Sequence, residues 1–213
     1  MSEPWSERAE LYRTSAAHSQ GPDLDLVVEW AAGCATAIDV ATGGGHVARR
    51  LREAGLEVVS CDPAPGMQPD VICFAEELPF ADGSFDLAVT RVAAHHFADV
   101  AMATAELARV ASQHVVVVDN LYGGENAERA EKIRDESHVR NYTEEEWRGY
   151  FAAAGLEVED VRIFSFPIEF EPFLMRTACT GEAAAEVRRL LADRITGDDV
   201  VFERIALRGK KPA

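Results

Sequence analysis

Short apolar runs alternate with stretches of helical spacing along most of the chain. Residues 6–17 carry charged and apolar side chains at helical intervals, with Pro4 just ahead of the first turn, which predicts an amphipathic helix. Gly21-Pro22 breaks it, and Asp23 is placed to cap a second helix reaching about Ala32. Strands are predicted at 36–40, 57–61, 70–74, 85–91 and 114–118, the last a β-branched run suited to a buried central position. Helices at 46–54 and 99–111 fall between them. A charged, solvated helix follows at 126–138. The next begins in a capping box, with Thr143 as N-cap and Glu146 at N3, and ends at Gly155, a C′ glycine by position. A strand from 156 to about 166, an amphipathic helix around 180–194 and a last strand at 200–207 complete the series. This alternation implies an α/β fold with a parallel, doubly wound sheet and right-handed crossovers.

No internal repeat, low-complexity tract or linker divides the 213 residues, so 1–213 is expected to form one domain. A 47% hydrophobic share is ample for a packed core. Charge is lopsided: 21 Lys+Arg against 37 Asp+Glu give a net −16. Nucleic-acid binders need cationic surface to displace phosphate counterions, and Arg208–Lys211 is too short a cluster to supply it. A nucleic-acid partner is therefore disfavoured. Four cysteines, Cys34, Cys61, Cys73 and Cys179, form no CxxC or Cys/His ligand pattern, and no metal is expected. The N-terminus has no apolar h-region and no stretch approaches membrane-spanning length, so the chain is expected to be cytoplasmic, without membrane insertion.

The chemistry concentrates at Asp39-Val-Ala41-Thr-Gly43-Gly44-Gly45, which follows a predicted strand and opens a helix. Successive glycines remove Cβ atoms where the backbone turns sharply and a ligand approaches. The free N–H groups of the helix start favour an anion there. The same letters satisfy GxGxxA, and Asp62 falls 19 residues after Gly43 at a strand end, so the motif alone admits a nicotinamide dinucleotide as well. Asp39 argues against that: at the strand tip a carboxylate repels a pyrophosphate and suits the ammonium of an amino acid.

A second stretch separates the readings. Residues 75–89, AEELPFADGSFDLAV, together with Ala94-His95-His96-Phe97-Ala-Asp99 and Ala105-Glu106-Leu-Ala-Arg109-Val110, closely resemble the class I methyltransferases that use S-adenosylmethionine (SAM). More narrowly they resemble the branch related to ubiquinone/menaquinone-biosynthesis (UbiE-like) C-methyltransferases. The resemblance runs from Tyr12 through the helix ending at Gly155, and more loosely to the last strand. It implies a Rossmann-like three-layer sandwich with a seven-stranded sheet of order 3-2-1-4-5-7-6, strand seven antiparallel. It also implies an N-terminal helical cap over 1–32 and a core over 33–213.

By position, the resemblance assigns the methionine moiety of SAM to Asp39 and the turn from Gly43 to Gly45, with Ala41 standing where many members have glycine. It assigns the ribose hydroxyls to Asp62, the adenine ring to the Ala75 N–H with Glu76 nearby, and the methionine and substrate entrance to Arg91. Tyr12 and His18 correspond to the cap over SAM. Two departures concern the adenine side. Phe74 occupies the place of a frequent aspartate, and the three prolines of 63–69 exclude the usual crossover helix. A thinner adenine pocket, weaker SAM affinity or a partner covering that edge is the expectation.

Catalytic candidates are His95 and His96, either of which titrates near enough to neutrality to serve as a base, or both of which merely fix a loop. Asp119, Asn120, His138, Arg140 and Tyr142 are the candidates for acceptor contact. Four phenylalanines, Phe164, Phe166, Phe170 and Phe173, suggest either core packing or a lid over the acceptor around 164–196. The expected activity is methyl transfer from SAM, yielding S-adenosylhomocysteine, to a small organic acceptor at C, O or N, by a monomer or homodimer. The alternatives are a catalytically inactive SAM-binding protein and a nicotinamide-dependent oxidoreductase.

Overall fold

Val115, Val116, Val117 and Val118 are wholly buried at the centre of the sheet, as a β-branched run covered on both faces must be. The computed structural model describes residues 3–212; Met1, Ser2 and Ala213, the outer limits of the expected domain, lie outside the described residues. Three short helices, α1 (Glu3–Glu7), α2 (Ala9–Arg13) and α3 (Ala16–Ser19), stand where one was expected. The breaks coincide with hydroxyl side chains that bond locally: Thr14 Oγ1 donates to Glu10 O, and Ser15 Oγ pairs with His18 Nδ1. Helix α4 (Pro22–Trp30) takes Gly21 as its N-cap, not Asp23. The Asp23 carboxylate turns inward instead, because Arg91 and Arg204 are buried beside it and need a counter-charge.

The core then runs β1 (Thr36–Val40), α5 (His46–Glu53), β2 (Glu57–Cys61), β3 (Phe85–Arg91), α6 (Val100–Val110), β4 (Ala111–Asn120) and α7 (Glu125–Arg134). It continues with α8 (Glu144–Ala153), β5 (Glu157–Glu169), α9 (Phe170–Met175), α10 (Gly181–Leu190), β6 (Ile195–Thr196) and β7 (Asp199–Lys210). The sheet order is β2-β1-β3-β4-β7-β5, with β6 pairing only to β7. Pairings from β2 to β4 are parallel, and β7 is antiparallel to β4 and β5. This is the expected Rossmann-like sandwich. Asp99 caps α6 by accepting from Met102 N, and the Thr143–Glu146 capping box of α8 is complete. Among the described residues, no helix is long and apolar enough to cross a membrane.

The expected third strand at 70–74 is reduced to one bridge, Cys61 to Val71. Asp70 anchors it, accepting from Ser60 N and Oγ and pairing with Arg52. In place of a crossover helix, residues 63–69 form a single 3-10 turn, Pro65–Met67. That edge is covered by the chain itself: α1 lies across the turn, and Trp5, Ala9 and Tyr12 cluster with Ala64 and Met67. Gly66 donates to Ser6 Oγ at 3.1 Å, and a Cβ on Gly66 would meet Ser6 Cα at 2.6 Å. The chain's own N-terminal helix thus covers the turn at 63–69, while Phe74 beside it stays exposed.

In the segment suggested as a lid, Phe166, Phe170 and Phe173 are buried in a satellite core with residues of α7 and α10. Phe164 packs instead against the core under α4 and α5.

Candidate active site

The C-terminal ends of β1, β2 and β3 open into a cavity of about 200 Å³. Open α/β sheets bind ligands at this edge, where crossovers leave to opposite faces. The glycine turn forms its floor. Asp39 is 1% exposed, and its Oδ2 accepts from Thr42 Oγ1 (2.5 Å) and Ala48 N (3.0 Å), tying the strand tip to the first turn of α5. Burial pushes the Asp39 carboxyl up to about 6, against the pull of those two hydrogen bonds. Each glycine has its own reason. A Cβ on Gly43 would enter open space at the cavity, with φ +51. One on Gly44 would strike Tyr12 O at 2.9 Å. Gly45 is the N-cap of α5 with φ +75 and does not border the cavity.

Of the four non-glycine residues with left-handed backbone among the described residues, two stand at this site, Ala41 and Val92, each at φ 56. They end β1 and β3 and both border the cavity. Such strain, on the order of 1–3 kcal/mol, persists only where surrounding structure imposes it and is common at functional sites. Val92 N donates to Val118 O at 2.7 Å, which is one source of the constraint.

Asp62 ends β2 with its side chain committed to backbone: Oδ2 accepts from Gly43 N and Oδ1 from Ala64 N, each at 2.9 Å. Burial raises its pKa. A carboxylate has about four acceptor sites, so both oxygens retain capacity toward the cavity that Asp62 borders. Ala75 borders it too, and among the described residues no hydrogen bond takes up its N–H. Glu76 Oε1 is engaged by Ala98 N (2.8 Å) and Asp99 N (3.2 Å), so it shapes the entrance to α6. Phe74 is an exposed lip at the same rim.

The N-terminal helices close the other side. His46 Nε2 lies 3.0 Å from Tyr12 O, and its Nδ1 faces the Arg49 guanidinium. Nε2 therefore donates. Arg91 is almost fully buried and clamps the cap: Nε donates to Asp23 Oδ2 (2.8 Å), and the terminal nitrogens to His18 O (2.7 Å) and Gln20 O (3.4 Å). Arg91 thus both borders the larger cavity and holds the N-terminal cap. Tyr12 and His18 pack edge to face, 5.3 Å apart, on the cavity wall.

Tyr12, His18, Val92 and His96 also border a second cavity of about 40 Å³. His95 and Asn120 face this one, and His96 stands between the two. His95 Nδ1 meets Asp119 Oδ1 at 2.5 Å, while His95 N donates to Asp119 Oδ2 at 2.8 Å. Burial works to lower the His95 pKa, but the Asp119 charge and hydrogen bond outweigh it and the net shift is upward. His96 goes the other way: burial and the neighbouring His95 push it down to about 3, and its Nδ1 faces Ser137 O and Oγ. The adjacent histidines are thus electrically opposite.

Several expected acceptor residues are elsewhere. Asp119 is 1% exposed and serves His95 and does not face either cavity. His138 pairs with Glu128, with its ring 5.5 Å from His95. Arg140 is exposed and pairs with Glu146, and Tyr142 packs against Trp147 and Tyr150. These three do not border a cavity; long-range packing draws them into the support of the His95 loop, where Val139 N and Arg140 N both donate to His95 O. In their place the second cavity has Arg134, Arg176 and Arg204, from α7, the end of α9 and β7. No local motif marks them.

Strand order, ligand edge and strained strand tips define a Rossmann-like enzyme fold of the methyltransferase type. The Methyltransferase domain family matches residues 38–118. The uncharacterized methyltransferase YcgJ of Bacillus subtilis is 32% identical over 198 residues, 81% of this chain and 78% of that protein. The crystal structure of YcgJ superposes with a TM-score of 0.81 at 24% identity, covering 90% of this chain and 98% of that one. The BH2331 protein of Bacillus halodurans gives a TM-score of 0.80 at 28% identity, covering 91% and 100%. The chain belongs to the class I SAM-dependent methyltransferases.

Proposed function

We propose that the larger cavity holds SAM and that the protein moves a methyl group to a small organic acceptor seated at the smaller one. The observation that carries this reading is the convergence of Asp39, the Gly43 N–H and Asp62 on one pocket beside a second pocket that shares a wall with it. Asp39 Oδ1 accepts no hydrogen bond among the described residues and fits the ammonium of the methionine moiety. The open space where a Gly43 Cβ would sit fits a ligand in contact with the turn. Asp62 fits the ribose hydroxyls, and the Ala75 N–H the adenine ring. SAM supplies an electrophilic methyl group on a sulfonium, so most of the chemistry is the cofactor's own.

The protein's part is orientation and exclusion of water, worth roughly 7–11 kcal/mol in favourable systems. The N-terminal cap, held by Arg91 and His46, walls one side of the cavity. For an acceptor that keeps its proton at neutral pH, His95 is the base. Asp119 holds its Nδ1, leaving Nε2 to accept the proton, and the upward pKa suits that task. His96, pushed down to about 3, is too weak a base and serves as a wall between the pockets. Activity then rises with pH through the raised His95 value, since the base form appears only above it.

Equilibrium binding of isotopically labelled SAM, competed with S-adenosylhomocysteine and with NADH, tests the cofactor. SAM and S-adenosylhomocysteine are expected to compete for one site and NADH to leave it untouched. NADH binding without SAM binding overturns the reading. S-adenosylhomocysteine release across phenols, quinols and carboxylic acids then tests turnover.

A further inference from the structure

The second cavity is walled by three guanidiniums in a chain whose net charge is −16. They are unequally satisfied. Arg134 pairs with Glu131 at 2.9 Å and lies 3.9 Å from Asp135, while its Nε is buried without a partner among the described residues. Arg204 has a side chain 2% exposed, shares the single Asp23 carboxylate with Arg91, and stacks 3.6 Å over the Phe166 ring. Its Nε is likewise buried and unpartnered. The Arg176 side chain, at the end of α9, makes no hydrogen bond or ion pair among the described residues and lies 5.9 Å from the Phe173 ring. The one carboxylate on the wall, Asp135, is taken up by Ser137 N and Oγ and by Arg134.

The surplus is therefore cationic, and neighbouring groups register it. Burial lowers the Arg204 pKa to about 10, with Arg91 adding to the effect. Burial and then Arg134 lower that of Arg176. His18 on the shared wall is driven well below its usual range by burial and then by Arg176, Arg204 and Arg91. A buried or half-buried guanidinium nitrogen left without a partner is costly unless a ligand completes it.

Resting on the methyltransferase reading above, we propose that this cavity binds the carboxylate of the methyl acceptor, with Arg176 as its principal partner and Arg204 and Asn120 beside it. A small anion suits a cavity of about 40 Å³ flanked by guanidinium groups. Planar guanidinium groups also match a carboxylate bidentately. The rest of the acceptor extends past His18, Val92 and His96 toward the larger cavity, so the anion serves as a handle that fixes which atom meets the methyl group.

Titration of the protein saturated with S-adenosylhomocysteine tests this, using acetate, propionate and benzoate, each against its own amide, with inorganic phosphate as a further arm. Carboxylates are expected to bind at least tenfold more tightly than the amides and than phosphate. Arg176→Gln is expected to remove that preference while the Kd for S-adenosylhomocysteine stays within twofold. Arg176 has no partner to lose, so the variant folds, and the wild-type comparison of acid with amide stands without it. Equal binding of acids and amides overturns the proposal and leaves the cofactor reading intact, as does tighter binding of phosphate. A parallel loss of S-adenosylhomocysteine binding in Arg176→Gln also overturns it, because the arginine then serves the cofactor. Failure of S-adenosylhomocysteine to bind the wild-type protein removes the methyltransferase reading, and the acceptor role with it.

Discussion

The two cavities meet at His96 and Val92 but are built in opposite ways. The larger rests on backbone: the turn between β1 and α5, the end of β2 and the loop after it, with carboxylates that bind N–H groups close by in the chain. The smaller rests on side chains brought from distant elements, α7 after β4, the end of α9 after β5, and β7. A cavity made from strand tips and a glycine turn suits a ligand common to a whole family. Side chains delivered by separate helices are free to change without disturbing that turn, which is how one fold accommodates many acceptors.

Breaking the acceptor side alone is expected to have the largest effect. His95→Asn should lower kcat by about 10²–10⁴, the usual worth of a positioned base, with the SAM Kd little changed. His96→Asn should cost much less. Equal losses in steady-state kinetics of the two variants would assign the pair to loop support. Asp62→Ala attacks the cofactor side, removing an acceptor for ribose and the partner of Gly43 N and Ala64 N. SAM affinity should fall about 10- to 100-fold by calorimetry, as loss of charged hydrogen bonds predicts, with acceptor-site carboxylate binding retained.

Asp39→Asn sharpens the contrast by separating stability from binding. A carboxyl raised to about 6 in the folded protein binds more protons there than in the unfolded chain, between roughly pH 4 and 6. Stability therefore falls as pH rises through that window, and above it the ionised side chain is a net cost of up to about 3 kcal/mol. The asparagine variant should melt higher than wild type at pH 7, with the difference vanishing near pH 4, and should bind SAM poorly. Wild-type SAM affinity should fall as pH drops below about 6. Equal melting temperatures at both pH values would contradict the buried-carboxylate account.

Much of this was legible in the chain. The boundaries of β1, β2 and β3 follow from apolar runs bounded by turn residues, and the capping box of α8 from four letters. The glycine turn, Asp39 and Asp62 were legible because a cavity floor built from strand tips and a tight turn leaves a local pattern. The role of Asp23 was misread as a cap, since nothing near it announces Arg91 and Arg204 across the fold. Prolines at 63–69 foretold a missing helix, but not that α1 would lie over the gap.

Local rules of hydrophobic period, capping and backbone freedom thus determined the alternation of strands and helices and the place of the glycine turn, while the strand order came from the family resemblance. Tertiary packing alone decided which histidine is raised and which is lowered, because both have the same unperturbed value and both are buried, and only His95 is paired with Asp119. It also decided that three arginines scattered over 71 positions, from 134 to 204, would face one small cavity. Charge pairing across a folded interior depends on distance in space, and no spacing along the chain encodes it.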